Sequence, residues 1–317
     1  MWGKRTARTP QASGPAAPTV SLPLSLLGKL DRLQFILPRP TALREGTVRA
    51  RSAPAAHGFE VHGYREYSWG EDLRHLDWNA YARTGELFVR VFRAERESAT
   101  YILLDTSSSM AAPETRANSN LDFSRQLVAA LAYMCLRRHE PASVALLGGE
   151  AARCQRSPLW RHRQQSLEAA RLLAVVRPSG RADVAAAVAS FLDVALHPGI
   201  AVLVSDFFYP VEQAARALAL LRARGFAVLA VHLLRESDVD PTLPGGVVTL
   251  RDAETGEERT LHWNARSRAM YRQAIERHAQ ALRACCHDQG LYYVRVDPEA
   301  GLEAALLGAL PQAGIVG

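Results

Sequence analysis

The chain has 317 residues, 48% of them hydrophobic and 22% charged, the balance of a folded protein long enough for one large domain or two modest ones. Its formal net charge of +6 points first to nucleic acid, but Lys4 and Lys29 are the only lysines and the arginines are interspersed with Asp and Glu instead of forming a basic stripe or tail, which argues against that partner. The four cysteines, Cys135, Cys154, Cys285 and Cys286, match neither a zinc knuckle nor a redox C-x-x-C and fit a reducing compartment.

Residues 1–20 are rich in Pro, Ala, Ser and Thr and read as a disordered tail. Residues 9–28 carry no charge, yet Pro10, Pro15, Pro18 and Pro23 interrupt them, so the run suits neither a spanning helix nor a signal peptide. A cytoplasmic protein without a transmembrane segment is expected, with peripheral membrane association left open. Leu26, Leu27, Leu30, Leu33 and Ile36 recur at helical spacing and predict a short amphipathic helix able to dock onto the main domain or a partner. Residues 21–98 are taken as one N-terminal segment: this helix, then strands and loops such as Glu86-Leu-Phe-Val-Arg-Val-Phe92.

Residues 99–317 change character. Thr100–Leu104 is a continuous apolar strand ending at Asp105, and a helix is predicted from Leu121 to Arg138. A strand at Ser143–Leu147 and helices near 164–176 and 181–196 lead to the strand Ile200–Ser205, which ends at Asp206. A helix over 211–224 stops at Gly225, followed by the strand Phe226–Leu233. Val247–Leu250 and Glu258–His262 flank Glu254-Thr-Gly-Glu257 and predict a hairpin. A long helix from Asn264 to Cys286, a strand at Leu291–Val296 and a helix over 298–309 complete the chain. Strands apolar throughout and alternating with amphipathic helices imply a doubly wound α/β fold with a mainly parallel sheet. Functional sites of such sheets lie at the carboxyl ends of the strands, where Asp105 and Asp206 fall.

The sharpest local signal is Asp105-Thr106-Ser107-Ser108-Ser109, an Asp-x-Ser-x-Ser loop directly after a buried strand. One carboxylate and two hydroxyls on a tight loop can converge on a hard cation such as Mg2+, which prefers oxygen ligands. The structural alternative is that Ser107 and Ser109 cap the following turn while Asp105 accepts backbone N–H bonds. The loop resembles the first element of the metal-ion-dependent adhesion site of von Willebrand factor A domains. That resemblance implies two further elements: an aspartate after a later strand, matched by Asp206, and a threonine on a second loop. The second loop is similar to Ser179-Gly180-Arg181-Ala182-Asp183, but Ala182 stands where the family places threonine, removing one oxygen ligand; Asp183 is the neighbouring substitute.

An enzyme is the competing class. Haloacid-dehalogenase-like phosphatases also begin with an aspartate after a first strand, but they need a second aspartate two residues on, where this chain has Ser107. No nucleophile elbow, H-E-x-x-H pair, P-loop or G-x-G-x-x-G run occurs. His75, His232 and His278 are read as structural residues.

Upstream, residues 64–83 are dense in paired charge, a pattern that predicts a turn at Gly70 and an ion network anchored by Trp78. Arg65, Tyr67, Gly70, Asp72, Arg74, Asp77, Trp78 and Arg83 fit R-x-Y-x-x-G-[DE]-D-x-R-x-[IL]-D-W-x-x-x-A-R, and the stretch resembles the hallmark of bacterial domain-of-unknown-function family 58. In that family the motif precedes a strand leading into Asp-x-Ser-x-Ser, as here. The resemblance implies a non-enzymatic adaptor that works with a MoxR-type AAA+ ATPase in assembling or activating other complexes. Asp105, Ser107, Ser109 and Asp206 would then contact the partner, and Trp69 joins them if it is exposed. An envelope-linked scaffold held by the Leu26–Ile36 helix is a further alternative.

Overall fold

A computed structural model describes residues 20–38, 60–69, 73, 76–93, 98–111, 119–148, 153–178, 180, 183–194 and 197–317. Gly70, Asp72, Arg74, His75, Ala182 and residues 1–19 of the tail expected over 1–20 lie outside the described residues; Val20, its last residue, is described and its N–H donates to the Ala170 carbonyl. The chain divides into two compact units, Met1–Pro40 with Ser98–Gly317, and Thr41–Glu97. The first helix, α1 (Leu24–Leu30), therefore belongs to the larger unit and not with the segment that follows it. Leu26 and Leu30 are buried in the main core, which is the physical reason for that grouping. The helix is shorter than the leucine pattern predicts. Beyond it, Phe35 is buried and bridges Val316, while Ile36 points outward, so the chain continues as an extended strap against the C-terminus.

The smaller unit pairs β1 (Glu60–Glu66) antiparallel with β2 (Phe88–Arg93), joined through α2 (Trp78–Thr84). Asp77 caps α2, its Oδ1 accepting the N–H groups of Asn79 (2.9 Å) and Ala80 (3.2 Å), and Gly85 closes the helix in the left-handed conformation that suits glycine. Trp78 is not the apolar anchor expected from the sequence. It occupies the first helical position, 59% exposed and edge-on to Tyr81, while Leu76, Ala80 and Val89 are buried instead. Arg65 donates to the Glu66 carbonyl, Arg83 to the Asn79 carbonyl, and the Tyr67 N–H to the Leu87 carbonyl.

The larger unit is built on a six-stranded sheet. Its strands are β3 (Thr100–Asp105), β4 (Ala142–Gly148), β5 (Arg153–Arg156), β6 (Ile200–Ser205), β7 (Ala227–Leu233) and, after the separate hairpin β8 (Gly246–Arg251) and β9 (Glu258–Trp263), β10 (Tyr292–Val296). The spatial order is β10-β7-β6-β3-β4-β5, parallel except for the edge strand β5. Sequence reading missed β5, a polar four-residue strand without an apolar run. The principal helices are α3 (Asn120–Arg137), α4 (Ser166–Ala174), α5 (Val184–Leu192), α6 (Val211–Ala223), the single turn α7 (Glu236–Val239) and α8 (Ala265–Asp288).

Side-chain alternation divides the core between the two faces of the sheet. Ile102, Leu104, Val202 and Val204 pack with α1, α3 and the C-terminal residues; Tyr101, Leu103, Ala201 and Leu203 pack with α5, α6 and α8. Cys286 joins the second cluster, as a packing residue. The last helix is broken where a continuous one over 298–309 is expected: a 3-10 turn at Pro298–Ala300, Gly301 at positive φ, then a helical stretch containing a π turn at Ala305–Ala309. Among the described residues no helix is long and apolar enough to cross a membrane.

Candidate functional site

The strand order sets the location of the site. From β3 the chain moves to β4 and β5 on one side, then crosses to β6 and β7 on the other, so the topological switch point lies between β3 and β6. Asp105 ends β3 and Asp206 follows β6; both are completely buried.

Asp105 Oδ1 accepts the Ser107 N–H at 2.9 Å, and its Oδ2 accepts the Ser205 hydroxyl at 2.6 Å. The Ser205 oxygen in turn accepts the Phe207 N–H at 2.9 Å. The Ser107 and Ser109 hydroxyls are hydrogen-bonded at 3.0 Å, and Ser107 is buried. Asp206 Oδ1 accepts the Phe208 N–H at 3.2 Å, while its buried Oδ2 has no hydrogen-bond partner among the described residues. The Ser108 N–H donates to the Gly180 carbonyl at 3.0 Å, tying the Asp-x-Ser-x-Ser loop to the second loop. The structure thus brings Asp105, Ser107, Ser109 and Asp206 into one neighbourhood.

Asp183 has a different position. It is exposed and caps α5, its Oδ1 accepting the Ala186 N–H (3.0 Å) and the Gln213 side-chain amide (3.2 Å). Among the described residues nothing links it to Asp105 or Asp206. Trp69, in the smaller unit, is fully exposed.

The electrostatics of the carboxylate pair are unfavourable. Burial raises the Asp105 carboxyl above its ordinary range, against the hydrogen bonds from Ser205 and Ser107. Burial, and then the negative charge of Asp105, push Asp206 up to about 7. Among the described residues no arginine or lysine pairs with either group. Two buried carboxylates without a cation incur a desolvation penalty that only a positive charge or a proton relieves. The donors here are all oxygens, the set a hard divalent cation takes. Among the described residues no three His, Cys, Asp or Glu side chains converge as a ligand cluster, so a cation here would rest on two carboxylates supplemented by hydroxyls.

Sequence reasoning reads His232 and His278 as structural residues but does not place them beside the pair. Phe207 is buried with φ +52, a conformation rare for a bulky residue, and is held by the His278 Nε2–H, which donates to its carbonyl at 2.8 Å. His232 lies edge-on to the Phe207 ring and hydrogen-bonds Tyr293 through Nδ1 at 2.8 Å, with Nε2 buried and unpartnered; burial lowers it to about 3, so the ring is neutral. Only the adjacency of Ser205 and Phe207 to Asp206 could have flagged them; the two histidines are distant in sequence.

An Asp-x-Ser-x-Ser loop and a second aspartate at the switch point of a doubly wound sheet define a von Willebrand factor A-like α/β domain. The chain belongs to the family described as "Protein of unknown function DUF58", whose model matches residues 63–281. It is 30% identical over 236 residues to the uncharacterized protein Rv1480 of Mycobacterium tuberculosis and, equally, to the uncharacterized protein Mb1516 of Mycobacterium bovis, covering 72% of this chain and 72% of each relative. Among solved structures it is similar to an aerotolerance-related membrane protein from Bacteroides fragilis, with TM-score 0.43, 17% identity, and 68% of this chain and 99% of that one covered. It is also similar to BatB from Bacteroides thetaiotaomicron, with TM-score 0.40, 15% identity and coverage of 68% and 98%.

Proposed function

We propose that this protein is a cytoplasmic, non-enzymatic protein-binding adaptor, and that the rim formed by Asp105, Ser107, Ser109 and Asp206 holds a divalent cation such as Mg2+ and presents it to an acidic side chain of a partner. The observation that carries this reading is the buried carboxylate pair, which no cationic side chain among the described residues compensates and whose Asp206 Oδ2 has no hydrogen-bond partner among them. A cation there neutralises the pair and supplies a Lewis-acidic position for one more oxygen ligand. Asp183 is left as a helix cap in this reading, so the second loop contributes backbone position through Gly180. Family resemblance supplies the partner class, a MoxR-type AAA+ ATPase. The absence of a second acid at position 107 disfavours a phosphoester hydrolase.

The test is affinity purification of the tagged chain from its native host in Mg2+ and in EDTA, with Asp105→Ala alongside and mass spectrometry of what co-purifies. An ATPase retained only with Mg2+ and lost with Asp105→Ala supports the reading. Retention by Asp105→Ala overturns the role of the rim, and loss of the ATPase from every sample overturns the partner.

A further inference from the structure

One loop carries two buried polar atoms with no hydrogen-bond partner among the described residues: the Asp206 carboxylate oxygen Oδ2 and, three residues on, the Tyr209 hydroxyl. Tyr209 is 8% exposed, its ring packed at 5.7 Å from that of Phe207. A buried hydroxyl without a partner is destabilising, and phenylalanine would fill the same apolar position without that penalty. The neighbouring Ser205 hydroxyl gives its one proton to Asp105 Oδ2, accepts the Phe207 N–H, and makes no hydrogen bond to Tyr209. Tyr209 also sits within the field of the carboxylate pair. Burial, then the Asp105 charge, hold its phenol well above the ordinary range, with the Ser205 hydroxyl acting the other way, so it remains an O–H donor throughout the neutral range. Both open atoms lie on one loop in the field of the same carboxylate pair, a donor and an acceptor that a ligand of a bound cation would satisfy.

We infer that Tyr209 is a positioning residue of the cation site, donating its hydroxyl to a water or carboxylate oxygen in the shell of the divalent cation held by Asp105 and Asp206. This inference rests on the cation reading above and adds to it an outer donor that orients a ligand. Such outer contacts are typically worth 10–100-fold in metal affinity.

The test is Mn2+ titration of the full chain by calorimetry, for wild type, Tyr209→Phe and Asp206→Asn, with urea melts of each in EDTA. The expected result is binding by wild type, about tenfold weaker binding by Tyr209→Phe, and none by Asp206→Asn. In EDTA, Tyr209→Phe should be as stable as wild type or more so, because it removes an orphaned hydroxyl; a merely structural tyrosine would lose stability in EDTA and leave the Mn2+ constant unchanged. Equal affinity in wild type and Tyr209→Phe overturns the role of Tyr209 and leaves the cation reading standing. No binding by wild type overturns both, whereas failure of the partner experiment with Mn2+ binding intact leaves Tyr209 in place.

Discussion

Ser205 and Asp105, one hundred positions apart in sequence, are joined by a 2.6 Å hydrogen bond that ties the end of β6 to the end of β3 at the switch point of the sheet. The serine oxygen also accepts the Phe207 N–H, so one hydroxyl supports both the carboxylate and the strained backbone of the next loop. Ser205→Ala strips a buried carboxylate oxygen of its donor and a buried N–H of its acceptor. The expected loss is about 2–4 kcal/mol, one to two buried polar groups left unsatisfied, measured as a shift in the urea midpoint at pH 7. A change below ~0.5 kcal/mol would show that water replaces both bonds.

The pH dependence of stability follows from the raised carboxyls. An aspartate unfolded near 3.8 and pushed up to about 7 in the fold, as Asp206 is, leaves the native state holding the extra proton between those values. Stability contributed by that proton is present below the unfolded pKa and lost as pH rises through the window to about 7. Without a divalent cation, the wild-type melting temperature should therefore fall, relative to Asp206→Asn, between pH 4 and pH 7. Added Mg2+ should recover the loss in wild type and leave Asp206→Asn unmoved. Parallel profiles for the two proteins would remove Asp206 as the source.

Much of this was legible in the sequence because local patterns specify local structure. The apolar runs at 100–104, 200–204 and 226–233 could only be strands buried on both faces, and the aspartates ending two of them marked the rim. Three errors share a physical cause: backbone pairing with another segment, near or far in the chain, decided the outcome. Trp78 lost its expected anchoring role to Leu76 and Val89, which pair across the small sheet. Ile36 lies outside while Phe35 is inside, because the strap pairs as a strand with Val316 and strand alternation overrides helical spacing. The polar strand β5 is specified by pairing with β4 and had no signal of its own.

Asp183 separates two roles that one residue type can fill. As the cap of α5 it accepts the Ala186 N–H, and Asp183→Ala should cost about 1 kcal/mol of stability, the ordinary value of a helix cap. As a metal ligand its loss would instead abolish Mn2+ binding. The contacts favour the cap, so the expected outcome is a lower melting temperature with the Mn2+ affinity of wild type. Asp183→Asn should restore the melting temperature, since asparagine caps as well as aspartate.

Two glycines should respond in opposite senses to the same substitution. Gly199 precedes β6 where the chain passes directly against β3, and a Cβ built there would lie 2.0 Å from the carbonyl oxygen of Ala99, closer than atoms can approach. That carbonyl is the acceptor for the Ile200 N–H, so it cannot withdraw without opening the start of the β3–β6 ladder. Gly199→Ala should therefore destabilise by more than ~1 kcal/mol. Gly28 lies inside α1 with nothing within 4 Å of its notional Cβ, and there alanine should stabilise by about 0.5–1 kcal/mol, through helix propensity alone. Urea denaturation of both variants beside wild type checks the pair. A stabilising Gly199→Ala would mean that β3 and β6 do not approach as described, and a destabilising Gly28→Ala would mean that residues 24–30 are not helical against the core.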